Sequence, residues 1–350
     1  LITSIMAGAL AMVNKITAPR IAQLRAEKIQ KAVSEVLPGG GEEVYCFVDG
    51  TGLVTNVYAS DLGYAVQVAP IGFDNAITMM VGVDRDGNIL GISIISHTET
   101  AGLGAVAAAE ELNTPIILQI AECRLKNSPL ELMGPMMISA AKNSKVDIAV
   151  HLDHGLKIET VQKALEMGFT SVMFDGSTLP LEENIKAVKQ VREMADKYGA
   201  TVEAELGVVG GNEGDGAAHE ILCTNPDDAK LFCDETGVDA LAVAIGNAHG
   251  NYPVLPNLRF DVLDDINKMV ETPLVLHGGT GITDEMFQQA IMLGVRKVNI
   301  ATASFDHLAK YTQDYCSTKE KANYFELSAK MSEGVYANVK RHIKVFSFME

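Results

Sequence analysis

The sequence contains no tryptophan, and aromatic residues make up only 6% of it. So sparse an aromatic content argues against a stacking surface for single-stranded nucleic acid. Positive charge is also in deficit: 28 Lys and Arg stand against 45 Asp and Glu, a formal charge of -17. That field repels polyphosphate backbones and argues against nucleic acid as a partner. Any phosphate bound here has to be held locally, by backbone amides and a metal. Cysteine is scarce too. Cys46, Cys123, Cys223, Cys233 and Cys316 are scattered without a C-x-x-C pair. This is the pattern of reduced thiols in a cytosolic chain, not of a disulfide framework or a thiolate zinc site.

A complete membrane span is missing as well. Residues Leu1 to Val13 are nearly all apolar or small. At ~1.5 Å per residue they reach about 20 Å, short of the ~30 Å hydrocarbon core. The run reads as the remnant of a membrane helix, with a secretory hydrophobic segment and a plain core helix as alternatives.

What is present is ample material for a core. The 350 residues are 47% hydrophobic and 21% charged, which suits a folded chain of more than one domain. Residues 15–36 carry apolar positions at helical spacing, and Pro38-Gly39-Gly40-Gly41 ends that helix. From Val44 to about Ile95 the texture changes to short β-type runs between turn dipeptides, such as Cys46-Phe47-Val48 and Ile77 to Val83. This segment reads as a small antiparallel sheet.

After residue 104 apolar runs at 116–120, 147–151, 170–174, 201–205, 239–243, 273–277 and 296–300 alternate with helical patterns, such as 159–167, 182–198 and 283–293. That alternation demands a parallel sheet with right-handed crossovers. The α/β span 105–350 has the ~250 residues of a (β/α)8 TIM barrel. It shows seven strands and opens on a helix fragment, Val106 to Leu112, so the first strand is the missing one. The unclosed edge has the strand at 91–95 as its nearest cover.

Three strands end alike, in an apolar run followed by His and Gly: I-A-V-H-L-D-H-G (148–155), L-A-V-A-I-G-N-A-H-G (241–250) and P-L-V-L-H-G-G-T-G (273–281). Ligands bind at the carboxyl ends of such strands. Three imidazoles converging there, without cysteine, make the ligand set of an open catalytic zinc site. His154, His249 and His277 are the expected ligands. A single histidine at a strand end is more often a hydrogen-bonded core residue; three with the same ending reverse that expectation. His151 reads as structural, and His97, His219, His307 and His342 as ordinary.

Asp153, beside His154, is placed to deliver or remove a proton, or else to orient an imidazole. The stretch E-A-E-L-G-V-V-G-G-N-E-G-D-G (203–216) is a strand followed by a loop of glycines and acids. It reads either as a lid that brings Glu213 over the site or as a surface turn. Gly278-Gly279-Thr280-Gly281 and Asn299-Ile300-Ala301-Thr302 end the last two strands, where barrel phosphate sites form.

These motifs, with F-D-G-S-x-L-P-x-E-E-N-I (174–185), resemble the class II, zinc-dependent fructose- and tagatose-bisphosphate aldolases over residues 105–350. The resemblance implies one zinc per chain at His154, His249 and His277, with Asp153 as proton donor and Glu213 as the acid that handles the C3 proton. Glu205 matches a residue near an alternative metal position. Gly250, Gly278, Gly279, Thr280, Asn299, Ile300, Ala301 and Thr302 match the dihydroxyacetone-phosphate site. The implied reaction is reversible cleavage of a ketose 1,6-bisphosphate, fructose first, without a Schiff-base lysine. Relatives are homodimers or homotetramers of the cytoplasm. Asn251-Tyr252-Pro253 lacks a lysine that several fructose-type relatives carry, and Ala303 replaces an acidic residue.

Residues 1–104 resemble a different family. G-Y-A-V-Q-V-A-P-I-G-F-D-N-A-I-T-M-M-V-G-V-D-R-D-G-N (63–88) and S-H-T-E-T-A-G-L-G-A (96–105) are similar to the FMN-binding G subunit of Rnf-type electron-transport complexes, with residues 1–13 as its membrane anchor. That family attaches flavin through the threonine of an S-G-A-T motif, which this sequence lacks, so covalent FMN is not expected. The chain therefore reads as two truncated pieces joined. A membrane-anchored electron-transport subunit and an inactive fusion are the alternatives to an active aldolase.

Overall fold

The computed structural model describes residue 23 and residues 26–44, 54–68, 78–96, 100–211, 221–252, 254–319 and 323–349. Residues 1–13, Cys46, His97, Glu213 and His219 lie outside them. The chain divides into two compact units, Leu1–Glu99 and Thr100–Glu350.

In the first unit, helix α1 (26–36) precedes five strands: β1 (Glu42–Val44), β2 (Val54–Ser60), β3 (Gly63–Val68), β4 (Thr78–Asp84) and β5 (Ile89–Ser96). They pair in chain order, all antiparallel, as the turn-punctuated texture requires. Ala32, Val33, Val36 and Leu37 bury one helix face against Tyr58, Ala65 and Met80. Gly82 is where the helix crosses: a side-chain carbon there would strike the Val36 carbonyl. The strand at 91–95 belongs to this sheet and is not one of the seven strands of the second. It pairs with β4, which a short connection through Asp86-Gly87-Asn88 places beside it.

The second unit opens on α2 (Thr100–Glu111) and contains a seven-stranded parallel sheet. Its strands are β6 (Ile116–Ala121), β7 (Ile148–Gly155), β8 (Ser171–Phe174), β9 (Thr201–Leu206), β10 (Ala240–Val243), β11 (Leu274–Leu276) and β12 (Val295–Val298). They lie in chain order, each beside its successor. Helices α3 (Leu130–Asn143), α4 (Ile158–Met167), α5 (Leu181–Asp196), α6 (Pro226–Thr236), α7 (Phe260–Met269) and α8 (Asp284–Met292) make the crossovers, and α9 (Thr302–Ser317) and α10 (Tyr324–Phe346) close the chain. Local chemistry sets their ends. Asn225 caps α6 by accepting from the Asp227 and Asp228 amides, Pro226 opens it, and Gly237 ends it in the left-handed region.

Every strand expected after residue 104 is found within a few residues of its place. One apolar core runs from Leu118 through Leu152, Val172, Val202, Leu241 and Leu274 to Phe287. Polar contacts cross the concave face: Asn299 Nδ2 donates to Asp153 Oδ1 at 3.0 Å, joining β12 to β7, and Lys297 Nζ donates to Glu203 Oε1 at 3.1 Å, joining β12 to β9. The sheet is therefore curled, like a half-barrel. Among the described residues, β6 and β12 do not pair with each other. Among the described residues, too, no helix is long and apolar enough to cross a membrane. Cys123, Cys223, Cys233 and Cys316 are not disulfide-bonded.

On α10, His342 is buried between Phe287 and Phe346, with ring centroids 5.9 and 5.6 Å away. Its Nδ1–H donates to the Asn338 carbonyl and Nε2 accepts from Arg341. Burial, opposed by the Asn338 bond and reinforced by Arg341, lowers its pKa to about 4. Unfolding frees the ring to titrate near ~6.5, so the unfolded chain binds the extra proton between these values. Stability is complete above pH ~6.5 and falls as pH drops toward 4. Between pH 7.5 and 5 this group accounts for about 2 kcal/mol. Urea unfolding of H342Q at both pH values is expected to show that much less acid sensitivity than wild type; equal sensitivity refutes the assignment.

Candidate metal centre

The site stands at the carboxyl end of the curled sheet. His154, His249 and His277, from the ends of β7, β10 and β11, present ring nitrogens that all lie within 4.8 Å of one another. Ring centroids are separated by 4.6 Å for His154–His277, 5.0 Å for His154–His249 and 5.9 Å for His249–His277. Successive residues of a regular strand face opposite ways, yet Asp153 and His154 both reach the interior. The register against β8 jumps between Leu152 and Gly155, and His154 adopts φ +44°, so the strand bulges where the side chains are needed.

The glycine after each histidine serves a different end. Gly278, at φ +66°, lets the loop after β11 pass against the Ala248 carbonyl, and Gly155 passes the Met173 carbonyl, whereas Gly250 meets open space and is needed for φ +84° alone. The loop that presents His249 is tied down on several sides. Asn247 bridges the Ile245 amide and the His277 carbonyl, Tyr252 Oη accepts from the Ala248 amide and donates to the Gly278 carbonyl, and the His249 amide donates to Gly210. Gly210 therefore lies beside His249.

Two imidazoles are oriented by carboxylates. His154 Nδ1 is 2.8 Å from Asp175 Oδ2, and Asp175 also accepts from the Ser177 amide and hydroxyl. His277 Nε2 is 2.9 Å from Glu203 Oε1, and Glu203 is ion-paired with Lys297 at 2.8 Å. The opposite nitrogen, His277 Nδ1, is buried without an aligned hydrogen-bond partner among the described residues, although Glu205 Oε2 stands 3.2 Å away. Imidazoles whose outer nitrogen is held by a carboxylate and whose inner nitrogen points at other imidazoles are arranged as metal ligands. The donors are nitrogen and oxygen without thiolate, so the residues fit zinc. His154, Asp175 and Glu205 form a second, overlapping group, which is where Glu205 falls.

The electrostatics follow from burial among acids. Burial opposes the charged form of His277, but the adjacent Glu203 and Glu205 carboxylates outweigh it and raise its pKa to about 9. His154 is likewise raised, with burial outweighed by Asp153 and Asp175. His249 is pushed down to about 2, by burial first and then by the other two rings. Asp153, 6% exposed, accepts from Gln119 Nε2 and Asn299 Nδ2, each at 3.0 Å. Burial works to raise its pKa, but His154 and Lys297 bring it below the usual carboxylate range. His151 is fully buried on Ser171 Oγ at 2.7 Å, and burial lowers it to about 4.

The glycine-rich turn and the end of β12 meet beside this cluster. The Gly279 amide bonds the Asn299 carbonyl, and Thr280 Oγ1 accepts from the Ala303 amide in the first turn of α9. Thr302 is the first residue of that helix, and Asn299 is turned toward Asp153.

Asp175, Glu203, Lys297, Gln119 and Asn247 are the residues that motif reading passed over. One signal was available. Glu203 and Glu205 alternate within an apolar strand, and two acids on the same side of a buried strand need partners.

Comparison with known proteins places the chain in a family. The profile of the family described as "Fructose-bisphosphate aldolase class-II" matches residues 79–349. The sulfofructosephosphate aldolase of Alkalicoccus urumqiensis is 35% identical over 278 residues, covering 77% of this chain and 94% of its own length. The fructose-bisphosphate aldolase of Staphylococcus aureus (strain Mu50) is 35% identical over 272 residues, covering 77% and 95%. Among solved structures, the YdjI aldolase from Escherichia coli K12 aligns with a TM-score of 0.62 at 32% identity, over 71% of this chain and 88% of that one.

Proposed function

Since this chain belongs to the class II fructose-bisphosphate aldolase family and is a lyase, we propose that it cleaves a ketose 1,6-bisphosphate, fructose 1,6-bisphosphate first, to dihydroxyacetone phosphate and glyceraldehyde 3-phosphate, with zinc at His154, His249 and His277. The observation that carries this reading is the convergence of three imidazoles, two of them carboxylate-oriented, beside a buried, amide-held aspartate.

Zinc in that position supplies Lewis acidity toward the ketose oxygens. Asp153, kept ionised, accepts the proton of the C4 hydroxyl as the C3–C4 bond breaks; in synthesis it returns that proton to the aldehyde oxygen. Glu213 delivers a proton to C3 in cleavage and removes it in synthesis. Gly250, Gly278 to Thr280 and Asn299 to Thr302 hold the phosphate of the dihydroxyacetone half, supported by the opening amides and dipole of α9. Asn299 serves Asp153 as well, which couples phosphate binding to the acid–base group.

The family likeness further supports a cytoplasmic homodimer or homotetramer. For residues 1–104, an origin in an Rnf-type G subunit rests on the sequence likeness alone.

Substrate choice is tested by steady-state cleavage of fructose 1,6-bisphosphate, tagatose 1,6-bisphosphate and sulfofructose phosphate, with triose phosphate followed by a coupled assay. A kcat/KM for the fructose compound ~10-fold or more above the others is expected. A reversed order reassigns the sugar, and cleavage of none by folded, zinc-loaded protein overturns the reading.

A further inference from the structure

Lys297 is a lysine in the interior of a sheet, and packing alone does not account for it. Its side chain is 12% exposed, and its ammonium lies 2.8 Å from Glu203 Oε2 and 3.1 Å from Oε1. Glu203, 3% exposed in its side chain, uses Oε1 to meet His277 Nε2 at 2.9 Å. The three residues come from β12, β9 and the end of β11, so the chain of contacts crosses the concave face and ends on an imidazole whose other nitrogen points at His154 and Glu205.

A buried carboxylate without a cation is costly and turns away from its surroundings. Paired with Lys297, Glu203 is held against Nε2 as an acceptor, so Nε2 donates and Nδ1 is left to present its lone pair. We propose that Lys297 is a positioning residue for the metal centre: by pairing with Glu203 it fixes the tautomer and orientation of His277 that binds zinc. This rests on the reading of the three histidines as metal ligands, and it adds a requirement which that reading does not contain.

The test is zinc affinity, measured by competition with a chromophoric chelator on the folded full-length chain, for wild type, K297M, E203Q and E203Q/K297M. K297M is expected to lose about 10–100-fold in affinity, the usual effect of removing a group that orients a metal-binding histidine. The double variant is the discriminating one. The glutamine that E203Q introduces can accept from Nε2 through its amide oxygen with no buried charge left over, so the double variant is expected to bind zinc more tightly than K297M. It also keeps the test open if K297M does not fold. At saturating zinc, KM for the sugar bisphosphate is expected to stay at its wild-type value, because Lys297 acts on the metal and not on substrate. Affinity in K297M within about threefold of wild type, against the 10–100-fold expected, overturns the proposal, as does a double variant no better than K297M. Wild-type protein that binds no zinc instead defeats the metal-site reading itself, so the two failures are distinguishable.

Discussion

Replacing His277 by glutamine is expected to abolish both metal content and turnover. Glutamine places its Nε2 amide where the imidazole Nε2–H stood, so the contact to Glu203 survives and the buried carboxylate is not orphaned. What disappears is Nδ1, the ring nitrogen that the contact to Glu203 leaves over for a metal. The substitution thus isolates ligation from packing, which alanine at this fully buried position would not. Loss of a Lewis acid removes several kcal/mol of transition-state stabilisation. At 1.36 kcal/mol per tenfold, that is a fall of about 10³ or more in kcat/KM. Elemental analysis and cleavage kinetics of purified H277Q check both parts. A variant that keeps its zinc, or keeps its rate, shows that His277 is not a ligand.

The second large effect concerns Asp153. Two roles were open to it in the sequence: proton transfer, or orientation of an imidazole. In the structure His154 and His277 are oriented by Asp175 and Glu203, whereas Asp153 takes its hydrogen bonds from the amides of Gln119 and Asn299. Those donors hold the carboxylate in place without consuming it on a metal ligand. Asp153→Asn is therefore expected to lower kcat by about 10²–10⁴, the span of a general acid–base group, while zinc content stays at the wild-type level. Retained zinc with lost turnover assigns Asp153 to proton transfer. Zinc lost together with turnover makes it a support of the metal site.

Most of the second unit's framework is legible in the sequence because parallel strands are buried on both faces and stand out as apolar runs between helical patterns. The repeated His-Gly endings expose the metal centre for the same reason: polar residues at the ends of apolar strands have to converge on something. Less visible are the partners that make those histidines work. Asp175 lies in a loop, and Glu203 and Lys297 lie on strands separated by β10 and β11. Their pairing exists only because the sheet curls, and curvature leaves no local mark on composition. The bulge at His154 is hidden as well, since nothing in I-A-V-H-L-D-H-G announces a residue at φ +44°. The strand at 91–95 belongs instead to the first sheet, where a short turn makes β4 its local antiparallel partner.

The central claim is that this chain is a metal-dependent aldolase although β6 and β12 do not pair with each other among the described residues. Cleavage of fructose 1,6-bisphosphate by the purified 350-residue chain, after EDTA treatment and again after zinc is restored, tests it most directly. Activity abolished by EDTA and recovered with zinc is the expected result. Activity that survives complete removal of metal, or none from folded, zinc-loaded protein, contradicts it.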